Sequence, residues 1–103
     1  FMSDYKSIIQ QQIQSKPMFI YMKGTPGMPM CGFSARAAQV LASTGVEFGS
    51  FNILEDMNLF EELKKLNEWP TSPQIYVKGE FVGGCDNICE LAESGELAKM
   101  LKN

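Results

Sequence analysis

Apolar positions at Tyr5, Ile8, Ile9 and Ile13 follow helical spacing behind Ser3, the expected N-cap, and the pattern runs out at Ser15-Lys16-Pro17. This predicts a first amphipathic helix. The unbroken apolar run Met18-Phe19-Ile20-Tyr21-Met22 has the length of a buried strand, and Gly24-Thr25-Pro26-Gly27-Met28-Pro29 breaks it into a loop ending at Met30-Cys31. From Gly32 to Leu41 the chain is alanine-rich, with Phe33, Ala37, Val40 and Leu41 at helix-compatible spacing and Gly45 as terminator. Cys31 therefore belongs at the N-terminus of that helix. Val46 to Ile53 alternates as a second strand, and Met57, Leu59, Phe60, Leu63 and Leu66 mark another helix that ends before Trp69-Pro70. Gln74-Ile75-Tyr76-Val77 and Glu80-Phe81-Val82, joined by Lys78-Gly79 and closed by Gly83-Gly84, give a strong hairpin signal. Beyond Asp86, the apolar set Ile88, Leu91, Ala92, Leu97, Met100 and Leu101 is interrupted at Gly95, which predicts one broken helix or two short ones.

Two strands linked by a helix form a parallel unit, whereas a tight hairpin is antiparallel, so the sheet is expected to be mixed, with helices on both faces. That suits a four-stranded α/β domain of the thioredoxin type. With 103 residues, 45% of them hydrophobic, the chain has the size of a single domain spanning 1–103.

The formal net charge of −3 leaves no broad basic surface for a phosphate backbone, so nucleic acid is not an expected partner. The early apolar run is too short for a membrane span or a signal-peptide core, and the chain reads as soluble and unexported. Phe1 ahead of Met2 reads as an added residue, with Met2 the original start. Three cysteines and no histidine narrow the chemistry further. The odd count argues for a reducing compartment: the cytoplasm, or the mitochondrial matrix if a transit segment has been removed. Without histidine no Cys-His nucleophile pair is available, and three thiolates fall short of the four that a closed zinc or iron-sulfur site takes. Any such site must borrow ligands.

A thiol at a helix N-terminus meets unpaired N–H groups and the positive end of the helix dipole, so Cys31 is expected to ionise readily, helped by Lys23 if the loop folds back. The bland alternative is an inert buried cysteine. Cys85 and Cys89 lie one helical turn apart; a metal pair is one reading, and a buried or ligand-lining Cys85 with a core Cys89 is the preferred one. The seven methionines are dispersed and read as packing, as does Trp69 at a groove wall.

Lys23-Gly24-Thr25-Pro26-Gly27-Met28-Pro29-Met30-Cys31-Gly32-Phe33-Ser34 resembles the signature of monothiol glutaredoxins of the Cys-Gly-Phe-Ser class. The resemblance continues through Trp69-Pro70-Thr71-Ser72-Pro73-Gln74 and Gly83-Gly84-Cys85-Asp86 and spans nearly the whole chain. It implies that Cys31 is both the reactive thiol and the metal ligand, and that Pro73 is the cis proline of thioredoxin-like folds. It further implies that the backbone of Ser72 faces Cys31 and pairs with an extended thiol peptide. Cys85 and Asp86, after two glycines, would line the site for the γ-glutamyl end of glutathione, with Asp86 on its ammonium. Asp86 is equally read as a helix cap. Lys23 and Lys64 match basic positions used for the glycine carboxylate. Many members carry an arginine nine residues before the Trp-Pro pair, where this chain has Phe60, and Ser72 replaces a bulky residue. Ser34 stands where dithiol relatives keep a second cysteine.

The resemblance implies a [2Fe-2S] cluster bridging a homodimer, held by two Cys31 and two glutathione thiolates, and handed to apo iron-sulfur proteins, often with a BolA-type partner. The alternative is monothiol reduction of protein–glutathione mixed disulfides, a reaction in which this class is weak. A third reading is a redox-sensing protein whose cysteines form regulated disulfides, including one between Cys31 and Cys85.

Overall fold

The computed structural model describes residues 4–102. Ser3, expected as the first cap, and the Phe1-Met2 start lie outside the described residues. Helix α1 (Tyr5–Gln14) is capped by Asp4, whose carboxylate accepts the Ser7 N–H at 3.2 Å.

Strand β1 (Met18–Met22) is buried along its whole length and forms the middle of a mixed sheet. It pairs in parallel with β4 (Phe48–Asn52) and antiparallel with β5 (Gln74–Val77), which in turn pairs antiparallel with β6 (Glu80–Gly83), giving the order β4-β1-β5-β6. Because side chains alternate across a strand, β1 feeds two cores. Met18, Ile20 and Met22 join Ala37, Leu41 and Ile88, from helices α2 (Gly32–Ser43) and α4 (Cys85–Ser94), on one face. Phe19 and Tyr21 join Ile9, Ile13, Leu59 and Leu63, from α1 and α3 (Met57–Asn67), on the other. Helices thus cover both faces, as expected, and α5 (Glu96–Leu101) follows the break at Gly95 as a second short helix.

Three expectations need correcting. The segment 24–29 is not a plain loop: Gly24–Thr25 (β2) and Met28–Pro29 (β3) pair as a small antiparallel hairpin that lifts Met28 and Met30 into solvent. Its Pro and Gly content argues for a turn, but the pairing depends on tertiary anchors, because the Gly24 N–H donates to Asn52 Oδ1 at 2.9 Å. The second strand is shorter than Val46 to Ile53, because Asn52 Oδ1 also accepts the Leu54 N–H and winds Ile53–Glu55 into a 3₁₀ turn. Phe33, counted on the apolar face of its helix, is 64% exposed.

Candidate functional site

The N-termini of α2 and α4 converge on one cavity of about 460 Å³, within the size range of small-molecule sites. Cys31 and Phe33 line it from α2, Gly84, Cys85, Asp86 and Asn87 from α4, and Lys23 from the end of β1. Opposite stand Phe60 and the segment Trp69 to Pro73. In each helix the first main-chain bond skips the opening residues: the Ala35 N–H reaches the Cys31 carbonyl at 2.9 Å, and the Ile88 N–H reaches the Gly84 carbonyl at 3.0 Å. The N–H groups of the opening residues therefore carry partial positive charge towards the same space. A ligand with anionic groups is favoured there.

Cys31 is the N-cap of α2, in extended backbone and half-buried. Its pKa is lowered, first by the Ser34 N–H, with smaller help from the Phe33 N–H, the Ser34 hydroxyl and the Lys23 charge, while partial burial opposes them. No N–H closes a full capping bond on the thiol, so the donors remain available to the anion. Ser34 is wholly buried, and its Oγ accepts the Lys23 N–H at 3.2 Å. The hydroxyl thus ties the strand end to the helix and faces the sulfur; sequence reasoning saw only a missing cysteine.

Cys85 behaves oppositely. Burial pushes its pKa up, and the neighbouring Cys89 thiol adds to the effect. Alkylation of Cys31 is therefore expected to show a pH midpoint below that of an ordinary thiol, with the Cys85 midpoint above it. Residue-resolved mass spectrometry of timed alkylation across pH checks both, and Ser34→Ala should move the Cys31 midpoint up. A Cys31 midpoint at the value of a cysteine peptide contradicts this account. The same sign governs stability: a folded-state pKa below the unfolded one adds stability above the unfolded value, and that increment fades as pH falls through the folded one.

The opposite wall is held from behind. Gln74, fully buried, donates from Nε2 to the carbonyls of Trp69 (2.9 Å) and Thr71 (3.0 Å). Its Oε1 accepts from Asn67 Nδ2 at 2.8 Å, and Asn67 Oδ1 accepts the Tyr76 hydroxyl at 2.6 Å. This network fixes the segment that presents Ser72 and a cis Ser72–Pro73 bond, the isomer implied by the resemblance. Pairing with β1 stops at Gln74, and among the described residues the main chain of Ser72 has no hydrogen-bond partner. Trp69 packs edge-on against Phe81, with ring centroids 5.5 Å apart. Gly84 allows the close approach on the far side: a Cβ there would stand 3.2 Å from the Pro73 carbonyl oxygen.

Lys23, Cys31, Ser72, Pro73, Cys85 and Asp86 thus meet around one space. Lys64 does not line it. Its ammonium lies 2.8 Å from Glu61 Oε2 and 4.9 Å from the centroid of Phe60, whose ring does line the cavity. Residues not singled out for the site by the sequence include Phe33, Thr71 and Asn87, whose Oδ1 accepts the Gly84 N–H at 3.0 Å. Only their places beside Cys31, Ser72 and Asp86 in the motifs signalled them.

The family model described as Glutaredoxin matches residues 18–82, more than half of the chain and the stretch carrying most of this cavity. The chain belongs to the monothiol glutaredoxin family. Among relatives, a Rickettsia typhi protein named probable monothiol glutaredoxin 2 is 50% identical over 95 residues, covering 92% of this chain and 86% of its own. The rice monothiol glutaredoxin-S11 is 51% identical over 94 residues, 91% of this chain but only 19% of that longer protein. The solution structure of reduced apo GrxS14 from poplar superposes with a TM-score of 0.82 at 43% identity, over 93% of this chain and 88% of that one. As in other glutaredoxins, the fold is thioredoxin-like and the family's chemistry is linked to glutathione. Among the described residues, no helix is long and apolar enough to cross a membrane.

Proposed function

We propose that this chain, acting as a single glutaredoxin domain over residues 1–103, binds glutathione and carries a [2Fe-2S] cluster as cargo for apo iron-sulfur proteins. The observation that carries the reading is Cys31: a half-buried thiol with a lowered pKa, on a cavity wall, with buried Ser34 where an intramolecular partner would stand. A thiolate that cannot close a disulfide with its helix neighbour is left free as a ligand. Among the described residues no three cysteine, aspartate or glutamate side chains gather into a metal set, so one copy of the chain falls short of four ligands and at least two must come from outside it. Two Cys31 and two glutathione thiols supply the four that such a cluster takes, which makes the loaded form a homodimer.

In this reading the glutathione sulfur lies beside Cys31, and its backbone pairs with the free main chain of Ser72 ahead of Pro73. The γ-glutamyl end reaches the N–H groups opening α4 at Cys85 and Asp86, with the Asp86 carboxylate on the ammonium. Lys23 meets the glycine carboxylate, joined by Lys64 if its ammonium swings from Glu61 over the Phe60 ring. The exposed Met28, Met30 and Phe33 around the thiol give an apolar rim suited to a BolA-type or recipient protein. A reducing compartment, cytoplasm or mitochondrial matrix, keeps all three cysteines as thiols.

The anionic character of Cys31 also supports a second reading, reduction of glutathione mixed disulfides. Cys31 attacks the glutathione sulfur, the substrate leaves as a thiolate, and a second glutathione resolves the enzyme's mixed disulfide. Anaerobic reconstitution with iron, sulfide and glutathione tests the first. A coloured dimer with glutathione and a colourless monomer without it are expected. A cluster that assembles equally well without glutathione overturns it, and fast turnover of a glutathionylated peptide would make the second the main activity.

A further inference from the structure

The side chain of Cys89 is used by neither the cavity nor the proposed cargo role. Cys85 opens α4 and Cys89 follows one turn later, so the two share a helix face, and α4 packs on α2. Cys85 is buried at the cavity wall; Cys89 is half-buried against the same core cluster. Both are free thiols. One turn apart on α4 and packed into one core cluster, the two thiols are neighbours, and Cys89 adds to the burial that holds the Cys85 pKa up. Arg36, on α2, is the positive charge that favours the Cys85 anion, with Asp86 opposing it.

Such a pair selects by softness and coordination number. Among the described residues, no third cysteine, aspartate or glutamate completes a metal set with it. Four-coordinate zinc and the oxygen-seeking ions are therefore poorly matched. Thiolates without hard donors suit soft ions, and an ion content with two ligands needs nothing more.

We propose that Cys85 and Cys89 form a two-thiolate site for a soft monovalent ion of low coordination number, cuprous copper being the physiological member of that class. On binding, each thiol gives its proton to solvent and two copper–sulfur bonds form, with copper staying monovalent and no sulfur oxidised. Two thiolates and one monovalent cation leave a single negative charge, which Arg36 is placed to offset. Binding releases protons, so affinity rises with pH. Cys31 takes no part.

The test is anaerobic titration of the reduced full chain with cuprous copper against a chromophoric cuprous chelator, read by thiolate-to-copper ultraviolet absorption. Wild type and Cys31→Ser are expected to take up one equivalent with equal strength. Cys85→Ser and Cys89→Ser should lose more than the roughly 10–100-fold in affinity that removing even an outer-shell partner costs. Cys89→Ala, checked by circular dichroism, guards against a folding defect. In the wild type itself, copper should protect Cys85 and Cys89 from alkylation and leave Cys31 reactive. Unchanged binding by Cys89→Ser, weakened binding by Cys31→Ser, or protection of Cys31 in place of Cys89 overturns the assignment. None of these results bears on cluster assembly, which depends on Cys31.

Discussion

Cys31→Ser is expected to abolish cluster assembly and glutathione exchange while leaving the fold as stable as the wild type or more so. A serine hydroxyl is a poor ligand for iron, and as a nucleophile it needs an adjacent base, which a chain without histidine does not offer here. The structural side of the substitution runs the other way. Cys31 is the N-cap of α2 and makes no capping bond, whereas serine is among the best N-caps, worth about 1 kcal/mol over a residue that does not cap. Reconstitution followed by absorption spectroscopy and gel filtration, with thermal melts alongside, separates the two effects. A variant that melts normally and still yields a glutathione-dependent coloured dimer would remove Cys31 from the ligand set.

Gly24→Ala should damage the site through the backbone. Gly24 has a φ of +87°, and a Cβ there would lie 2.5 Å from the Met28 carbonyl oxygen and 2.8 Å from the Met30 nitrogen, both main-chain atoms that cannot swing aside. Left-handed backbone costs about 1–2 kcal/mol for a residue with a Cβ, and overpacking about 1–3, for a loss of about 2–5 kcal/mol. Relief means opening the β2–β3 hairpin, and with it the bond from the Met30 N–H to the Lys23 carbonyl that sets the approach to Cys31. The melting temperature should fall by roughly 10 °C or more, and the alkylation midpoint of Cys31 should drift up towards that of an ordinary thiol. Gly27→Ala, on the same hairpin with nothing within 4 Å of the new methyl, is the control, expected within about 0.5 kcal/mol of wild type. Equal melts for the two variants would refute this account of the hairpin.

Periodicity revealed the elements whose burial depends on their own spacing. The helices around Ile9, Leu41 and Leu63 and the fully apolar β1 appear where hydrophobic residues recur, because each must bury one face. The β2–β3 hairpin escaped because its pairing depends on Asn52, distant in sequence, and two-residue strands carry no pattern. Cys31 was legible because a thiol after a Gly/Pro-rich break and before a helical run has one natural position. The buried Ser34 and Gln74 were not, because polar residues are read as exposed until their partners are known. Lys64 shows the converse: a position can match a family motif while the side chain rests on a neighbour, here Glu61.

The amide lattice behind Ser72 has one more implication. Gln74 and Asn67 carry no titratable proton, and the Tyr76 phenol at its far end is held above its ordinary pKa by burial. Across the acidity range in which the neighbouring sulfur gains or loses its charge, this scaffold has nothing to protonate and nothing for added salt to screen. Reactivity is therefore tuned at a single atom, against a mould whose shape stays constant.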